Sequence, residues 1–281
     1  MSARGKNGGA LESAVVHAVL VLACLFSLYP VVWVVSLALS PRGLSTKAAL
    51  LPTTGAPTLQ NFATLLGSPL FLRQLASSIV VSIATAAVAI VIATPAAYAL
   101  ARFRSRVVAP TLKGLMATQM FPAIGTAVPL YMLLRVLHLL DTRAGLVLVY
   151  ASSAIPFAVF QLRGAFMGIP EALEEAAMVD GATRVQAFLK VVLPAARPAI
   201  SVTALFAFMS AWNEFILAAT FLAKEETYTL PVVLQRFVGE HGTAWGLFAA
   251  GSIVVSLPVM AIFYFVQRHL VSGLTAGSVK G

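Results

Sequence analysis

The chain has 281 residues, of which 59% are hydrophobic and 10% are charged, and its formal net charge is +9. Soluble domains carry roughly 25% charged residues, so this composition excludes an ordinary soluble domain and indicates an integral membrane protein. In a soluble protein such a charge would point to nucleic acid, but in a membrane protein it mainly reports which loops face the cytoplasm. We therefore expect a chain embedded in a lipid bilayer, with no nucleic-acid partner.

Six segments are long and apolar enough to cross a bilayer, which takes about 20 predominantly apolar residues of helix. The first is too long for the apolar part of a signal peptide and lacks a small-residue cleavage site, so we interpret it as a retained helix. The predicted fold class is an all-α integral membrane protein, a single transmembrane domain over residues 1–281. In chain order the predicted transmembrane helices are 14–39, 75–101, 111–134, 145–161, 199–222 and 247–267.

The loops between these helices differ in charge. Segment 40–74 is rich in turn residues and ends in an amphipathic helix, whereas the loop after the second helix is crowded with basic residues. Because basic residues accumulate in cytoplasmic loops, this loop, the loop at 164–198 and both termini are expected to be cytoplasmic. The basic residues of the first of these loops are Arg102, Arg104, Arg106 and Lys113.

Pro122 and Pro129 lie inside the third predicted helix. Each removes a backbone hydrogen bond, so we expect this helix to be bent. A bent helix can line a translocation path, but prolines are also tolerated in membranes for packing alone, and both interpretations are kept.

Loop 164–198 is charged and helix-forming within an otherwise apolar chain. A helix is predicted to begin near Pro170 and to end at Gly181, which can take the left-handed conformation that closes a helix. Thr183 and Gln186 have the spacing of a capping box and open a second helix, which Pro194 and Pro198 interrupt. Two short helices joined at a glycine make a compact knob, suited to docking onto a partner.

The fifth predicted helix contains Asn213 and Glu214, and this glutamate is the acidic residue inside the predicted spans. A carboxylate there is costly and faces a bundle interior or an aqueous cavity, so a role in a translocation path or subunit interface is one hypothesis. A hydrogen bond that packs helices together, or a protonated carboxyl near the interface, is the alternative. The four histidines have no metal-ligand spacing, so no metal site and no catalytic residues are expected.

Several motifs carry a resemblance to a known family. The run Glu174, Glu175, Ala176 and Ala177, followed by Asp180, Gly181 and Ala182, resembles the Glu-Ala-Ala loop of bacterial ABC importer permeases. The ending QRHLVSGLTAGSVKG resembles the C-terminus of MalG-type maltose and maltodextrin importer permeases. These are sugar-importer inner-membrane permeases that depend on a binding protein.

The resemblance implies a permease subunit of an ATP-driven importer in the bacterial cytoplasmic membrane, with trehalose or another disaccharide as the alternative cargo. Its partners would be a second, unlike permease (MalF-like), a homodimeric ATPase (MalK-like) and an external sugar-binding protein. The Glu-Ala-Ala residues would couple to the ATPase, and the external loop 223–246 would reach into the binding protein. Within it the resemblance assigns Gly239, Glu240, His241, Gly242 and Thr243 to the binding-protein loop, and in the tail 268–281 it assigns Gly273, Leu274, Thr275, Ala276 and Gly277 to ATPase contact.

No GxxxxGK[ST] motif occurs in the chain, so ATP hydrolysis by that mechanism is excluded and the chain is not expected to be an enzyme. We expect no cofactor in this chain, with ATP and Mg²⁺ bound by the partner subunits. A secondary transporter that uses Glu214 for ion coupling is a weaker alternative, because it leaves the capped loop and the tail unexplained. An intramembrane enzyme is weaker still, since one carboxylate supplies no acid–base pair.

Overall fold

The structure is a computed structural model that describes residues 6–41, 56–239 and 242–278, and it is almost entirely helical. A short antiparallel ladder joins β1 (Val238–Gly239) to β2 (Gly242–Thr243). A π-helical segment (Phe188–Val192) and a 3-10 turn (Glu225–Thr227) interrupt the α-helices. The helices are α1 (Lys6–Ala38), α2 (Gln60–Leu66), α3 (Pro69–Arg102), α4 (Val108–Gln119), α5 (Ala123–Val136), α6 (Arg143–Met167), α7 (Ala172–Val179), α8 (Arg184–Ala187), α9 (Leu193–Ala195), α10 (Arg197–Trp212), α11 (Ile216–Phe221), α12 (Leu230–Arg236) and α13 (Trp245–Ser278).

Four segments of the described chain, within α1, α3, α6 and α13, are each long and apolar enough to cross a membrane. Two further pairs reach the required length only together: α4 with α5, and the run 184–195 with α10. Counting each bent pair as one span gives up to six in the described chain, in agreement with an all-α membrane fold, although the second pair covers 184–212 and not the predicted 199–222.

The third predicted helix is divided where the prolines indicated. Helix α4 ends at Gln119, Pro122 is extended (φ −66°, ψ 135°), and α5 begins at Ala123 after a bend of 100°. Pro122 lacks an N–H and so is well placed just before a helix, whereas Pro129 is accommodated inside α5.

The fifth predicted helix, 199–222, differs from the prediction because it is not continuous. Helix α10 ends at Trp212 and α11 begins at Ile216. The carboxylate of Glu214 accepts hydrogen bonds from the N–H groups of Leu217 and Ala218, which in an unbroken helix would bond to the carbonyls of residues 213 and 214. An acidic side chain that caps the second segment therefore accounts for the break.

The chain divides into two compact units, one from Met1–Ser68 and Leu234–Val254, the other from Pro69–Val233 and Val255–Gly281. In the larger unit α3 packs against α6 and α10. Small residues at the contact, such as Ala93, Ala97 and Ala158, are almost fully buried and let the helices approach closely.

In the smaller unit, α1 exposes most of its large apolar side chains from Val15 to Val35, which suits a helix that faces lipid, whereas Leu37 and Ala38 at its end are buried. The side-chain amide of Asn61, 1% exposed, donates hydrogen bonds of 2.9 Å to the carbonyls of Ala38 and Ser40. The first turn of α13 passes close by, since a Cβ added at Gly246 would lie 2.7 Å from Asn61 Nδ2. A single buried amide therefore fixes α2 to the end of α1.

Candidate functional site

Residues 170–195, here called the knob, form two short helices joined at Gly181. Gly181 has φ +91° and its N–H bonds to the carbonyl of Met178, while the N–H of Ala182 bonds to the carbonyl of Ala177. These two bonds form a Schellman motif, which satisfies carbonyls that the end of α7 would otherwise leave unpaired. The prediction that Gly181 closes a helix is confirmed.

The second half of the knob also follows its sequence signals. Thr183 Oγ1 accepts from the N–H of Gln186, and the side chain of Gln186 accepts from the N–H of Thr183, a complete capping box. After α8 the backbone widens into the π-helical segment, and it bends by 74° between the run 184–195 and α10. The start of α7 differs slightly from the prediction, because the helix begins at Ala172 with Glu171 as its N-cap.

Glu174 points into the protein, not away from it. Its Oε2 accepts a hydrogen bond of 2.6 Å from the hydroxyl of Tyr98, and its Oε1 accepts one of 2.5 Å from Arg102 Nε. The side chains of Arg102 and Glu174 are 5% and 6% exposed. A second nitrogen of Arg102, Nη2, donates to the carbonyl of Ile169 at 2.9 Å. This charged residue therefore attaches the knob to the end of α3.

Aromatic rings extend the same attachment into the core. The ring centroid of Tyr98 lies 4.4 Å from that of Phe188 and 6.0 Å from that of Phe166. Tyr98, Phe166 and Val192 belong to one buried apolar cluster with residues of α3 and α6. The base of the knob is thus packed as part of the membrane unit.

The outer face of α7 is apolar, which inverts the usual arrangement of a surface helix. Ala172, Ala176 and Val179 recur at spacings of four and three, and all three are exposed, with Val179 at 88%. Val185, at the start of the second half, is 65% exposed. An apolar stripe turned outward beside acidic residues is typical of a surface that binds another protein.

The seven residues predicted to couple to an ATPase therefore have different positions. Glu175, Ala176, Asp180 and Gly181 are exposed, and Ala177 and Ala182 are half-buried. Glu174 is buried, and both of its carboxylate oxygens are engaged inside the chain. Tyr98 had no signal in the sequence, and Arg102 was noted there only as one of several basic loop residues.

Residues 89–276 match a family described as the inner membrane component of binding-protein-dependent transport systems. The chain belongs to this family. The matched range includes the whole knob together with α3 from residue 89 onward, and so contains Tyr98, Arg102 and Glu174.

Relatives of this permease have named cargoes. It is 36% identical over 258 residues to the trehalose transport system permease protein SugB of Mycobacterium tuberculosis (strain CDC 1551 / Oshkosh), covering 91% of this chain and 93% of the relative. It is 32% identical over 238 residues to the maltodextrin transport system permease protein MdxG of Bacillus subtilis (strain 168), covering 84% and 86%.

The fold also matches a solved structure. A bacterial ABC transporter involved in the import of the acidic polysaccharide alginate contains a chain that superposes with a TM-score of 0.79 at 24% identity. The match covers 95% of this permease and 99% of that chain. At this identity the likeness is one of fold.

Glu214 of the permease is held by three donors from the same chain. Tyr150, 4% exposed, donates its hydroxyl to Oε2 at 2.7 Å, and the N–H groups of Leu217 and Ala218 donate at 2.8 and 3.1 Å. These contacts favour the helix-packing interpretation of Glu214 over a translocation role. The neighbouring Asn213 is exposed, and its amide donates to the carbonyl of Met209 one turn back.

A further polar cluster, missed in the sequence, centres on Asp141 between α5 and α6. One carboxylate oxygen accepts hydrogen bonds from the N–H groups of Ala223 and Lys224 and from the hydroxyl of Thr227. Burial raises the pKa of Asp141, but these hydrogen bonds more than offset it and hold the pKa below its ordinary value. Asp141 has a φ of +57°. Its hydrogen bonds connect the segment after α11 to the residues just before α6.

The remaining predicted residues lie at the periphery. Gly239 lies in β1, Gly242 and Thr243 lie in β2, and Glu240 and His241 fall outside the described residues. The tail residues 273–277 belong to α13, which continues to Ser278, beyond the predicted span end at 267. Within the described residues, no group of three or more His, Cys, Asp or Glu side chains is placed to hold a metal ion.

Proposed function

We propose that this permease is one of two unlike membrane subunits of an ATP-driven sugar importer, and that the knob is where a separate, homodimeric ATPase grips it. The observation that carries the proposal is the inverted helix α7, which buries a glutamate and exposes an apolar stripe. Burying apolar surface favours association, so the stripe of Ala172, Ala176 and Val179 gains stability when a partner covers it.

The charges of the knob are consistent with a docking role. Glu175 and Asp180 are exposed beside the stripe, where they can steer and orient a partner that presents a basic cleft. The knob lies at the same end of α3 as the basic residues of loop 103–107. By the positive-inside rule that end is cytoplasmic, as are both termini and the tail 268–281, the side on which an ATPase has access to ATP and Mg²⁺.

The mechanism follows from differential binding. An ATPase that binds the knob more tightly in one of its own conformations than in another shifts the permease between the two states that expose the path to either side. An external sugar-binding protein would deliver the sugar on the opposite side of the membrane, which loop 223–246 is predicted to face. The permease then supplies half of the path and no chemistry.

For the cargo we propose a neutral disaccharide or short oligosaccharide, with maltose and maltodextrins first and trehalose second. The resemblance of the tail to MalG-type permeases supports the first, although residues 239–242 of the external loop depart from that pattern. The higher identity to a permease named for trehalose transport supports the second. Stimulation of ATPase activity in the reconstituted assembly by maltotriose or by trehalose, each with the cognate binding protein, separates the two.

The docking role is tested by reversing one charge on the outer face. Glu175→Lys should abolish sugar uptake and co-purification of the ATPase while the permease still inserts in the membrane, because it places a positive charge against a basic cleft. The matched control is Glu12→Lys, the same charge reversal on an exposed residue near the start of α1. Normal uptake by Glu175→Lys, or equal loss in both variants, contradicts the proposal.

A further inference from the structure

The last turn of α3 carries the contact from which we infer a new role. We propose that Arg102 and Tyr98 are positioning residues, which act through Glu174 to hold α7 in one orientation, so that the knob and α3 move together. The inference rests on the proposed function, since it assigns the route by which force applied to the knob enters the membrane helices.

The geometry of the contact fixes an orientation as well as a distance. Tyr98 and Arg102 engage different oxygens of Glu174, and Arg102 also reaches the carbonyl of Ile169, just before the knob. The guanidinium thus joins the chain entering the knob to the first turn of α7. Directional bonds at three points define how α7 is rotated, which an apolar contact of the same area does not do.

The covalent connections of the knob are less regular than this contact. On the side of α6 the helix ends at Met167, before a non-helical link of four residues, 168–171. On the side of α10 the chain passes through the π-helical segment and a bend of 74°. Straight helices transmit displacement, whereas broken ones absorb it in their dihedral angles. The clamp to α3, whose helix is continuous for 34 residues, is therefore the stiffer route.

The burial of the pair gives it a distinct signature under mutation. Both side chains are at least 94% buried, so removing one leaves the other unpaired where water does not reach it. If Arg102 acts only through Glu174, changing both residues does no more harm than changing one. If Glu174 instead contacts the ATPase directly, the effects of the two changes multiply.

The test uses the permease assembled with its partner subunits and binding protein in proteoliposomes. The variants are Arg102→Gln, Glu174→Gln, their combination, and Tyr98→Phe, with Arg106→Gln as the control because Arg106 is an exposed basic residue of the same loop. The measurement is the number of ATP molecules hydrolysed per sugar imported. We expect this ratio to rise about tenfold or more in each single variant of the pair, as for loss of a charge-assisted hydrogen bond, and no further in the combination.

An unchanged ratio in both single variants, or a multiplied effect in the combination, overturns the inference. If the variants of the pair fail to assemble, Tyr98→Phe decides the question, because it keeps both charges and removes one hydrogen bond; an unchanged ratio there also overturns the inference. A wild-type assembly whose ATPase does not respond to sugar and binding protein overturns the proposed function, whereas a normal wild-type response with silent variants overturns the inference alone.

Discussion

Glu214 is the residue whose mutation most sharply separates a structural from a transport role. Replacing it with alanine removes the acceptor for the hydroxyl of Tyr150 and for the N–H groups of Leu217 and Ala218. We expect Glu214→Ala to lower the stability of the permease and to loosen the break between α10 and α11. Loss of transport should follow only to the extent that the protein unfolds.

The contacts of Glu214 determine how much stability Glu214→Ala should lose. Losing a helix cap costs about 0.5–2 kcal/mol, here at the start of α11. Leaving the buried hydroxyl of Tyr150 without a partner costs about 1–3 kcal/mol. Because the two effects share one side chain, we expect a combined loss of about 2–4 kcal/mol in the free energy of unfolding. Glu214→Gln retains a carbonyl acceptor, so its loss should be about 1 kcal/mol.

The assay is equilibrium unfolding of the purified permease in detergent, followed by helical circular dichroism. Tyr150→Phe tests the partner, and the double variant should lose less than the sum of the two single losses. Asn213→Ala is the matched control, since the neighbouring amide is exposed and bonds to the carbonyl of Met209 within its own helix. Wild-type stability in Glu214→Ala together with abolished sugar uptake would refute the capping role and restore the translocation hypothesis.

Three further predictions concern other parts of the chain. A Cβ added at Gly181 would meet no atom within 4 Å, so the effect of Gly181→Ala should be backbone strain of about 1–2 kcal/mol. This strain should appear as faster hydrogen exchange at the end of α7. Gly181→Asn should have a smaller effect, and equal exchange rates in the two variants would contradict this explanation. The pKa of Asp141 is lowered on folding, so its carboxylate stabilises the protein at pH values above the ordinary pKa of 3.8. This stabilisation is lost as pH falls through the lower pKa of the folded state. The melting temperature of Asp141→Asn should therefore be below wild type at pH 7 and approach it below pH 4, and a constant gap would be inconsistent with that titration. Gly246→Ala should lower the free energy of unfolding by about 1–3 kcal/mol, because the added methyl overlaps the side chain of Asn61. In a chain that also carries Asn61→Ala, the methyl should cause no further loss, which a double-mutant cycle in thermal unfolding measures.

The features that the sequence predicted well depend on local rules. The capping box of Thr183 and the glycine turn at Gly181 involve residues within five positions of each other, and their hydrogen bonds follow from residue type. The apolar spans were also predictable because composition alone places them in a membrane. Of the breaks in the third and fifth predicted helices, the sequence predicted only the first. Pro122 indicates that break by its residue type, whereas Glu214 breaks the fifth helix through capping hydrogen bonds that helix propensities do not describe.

Contacts between distant residues were not predictable from one sequence. Glu174 meets Arg102 and Tyr98 across 72 and 76 positions, and Asp141 meets Thr227 across 86. From the sequence alone, each of these charged residues is predicted to be exposed to solvent. Ala172, Ala176 and Val179 recur at helical spacing in the sequence; such a stripe normally faces inward, but here it faces outward.

The small size of α7 and α8 also limits what the knob can do alone. A stable protein–protein interface takes about 20–30 residues from each partner, whereas α7 has eight residues and α8 has four, several of them buried in this chain. If the knob binds an ATPase as proposed, it is too small to hold that partner by itself, and the contact has to be shared with another surface. A second permease and the tail 268–281 are two candidates for that surface. A shared grip suits a coupling element, because the knob need only bind differently in the two states and does not have to supply the affinity that keeps the assembly together.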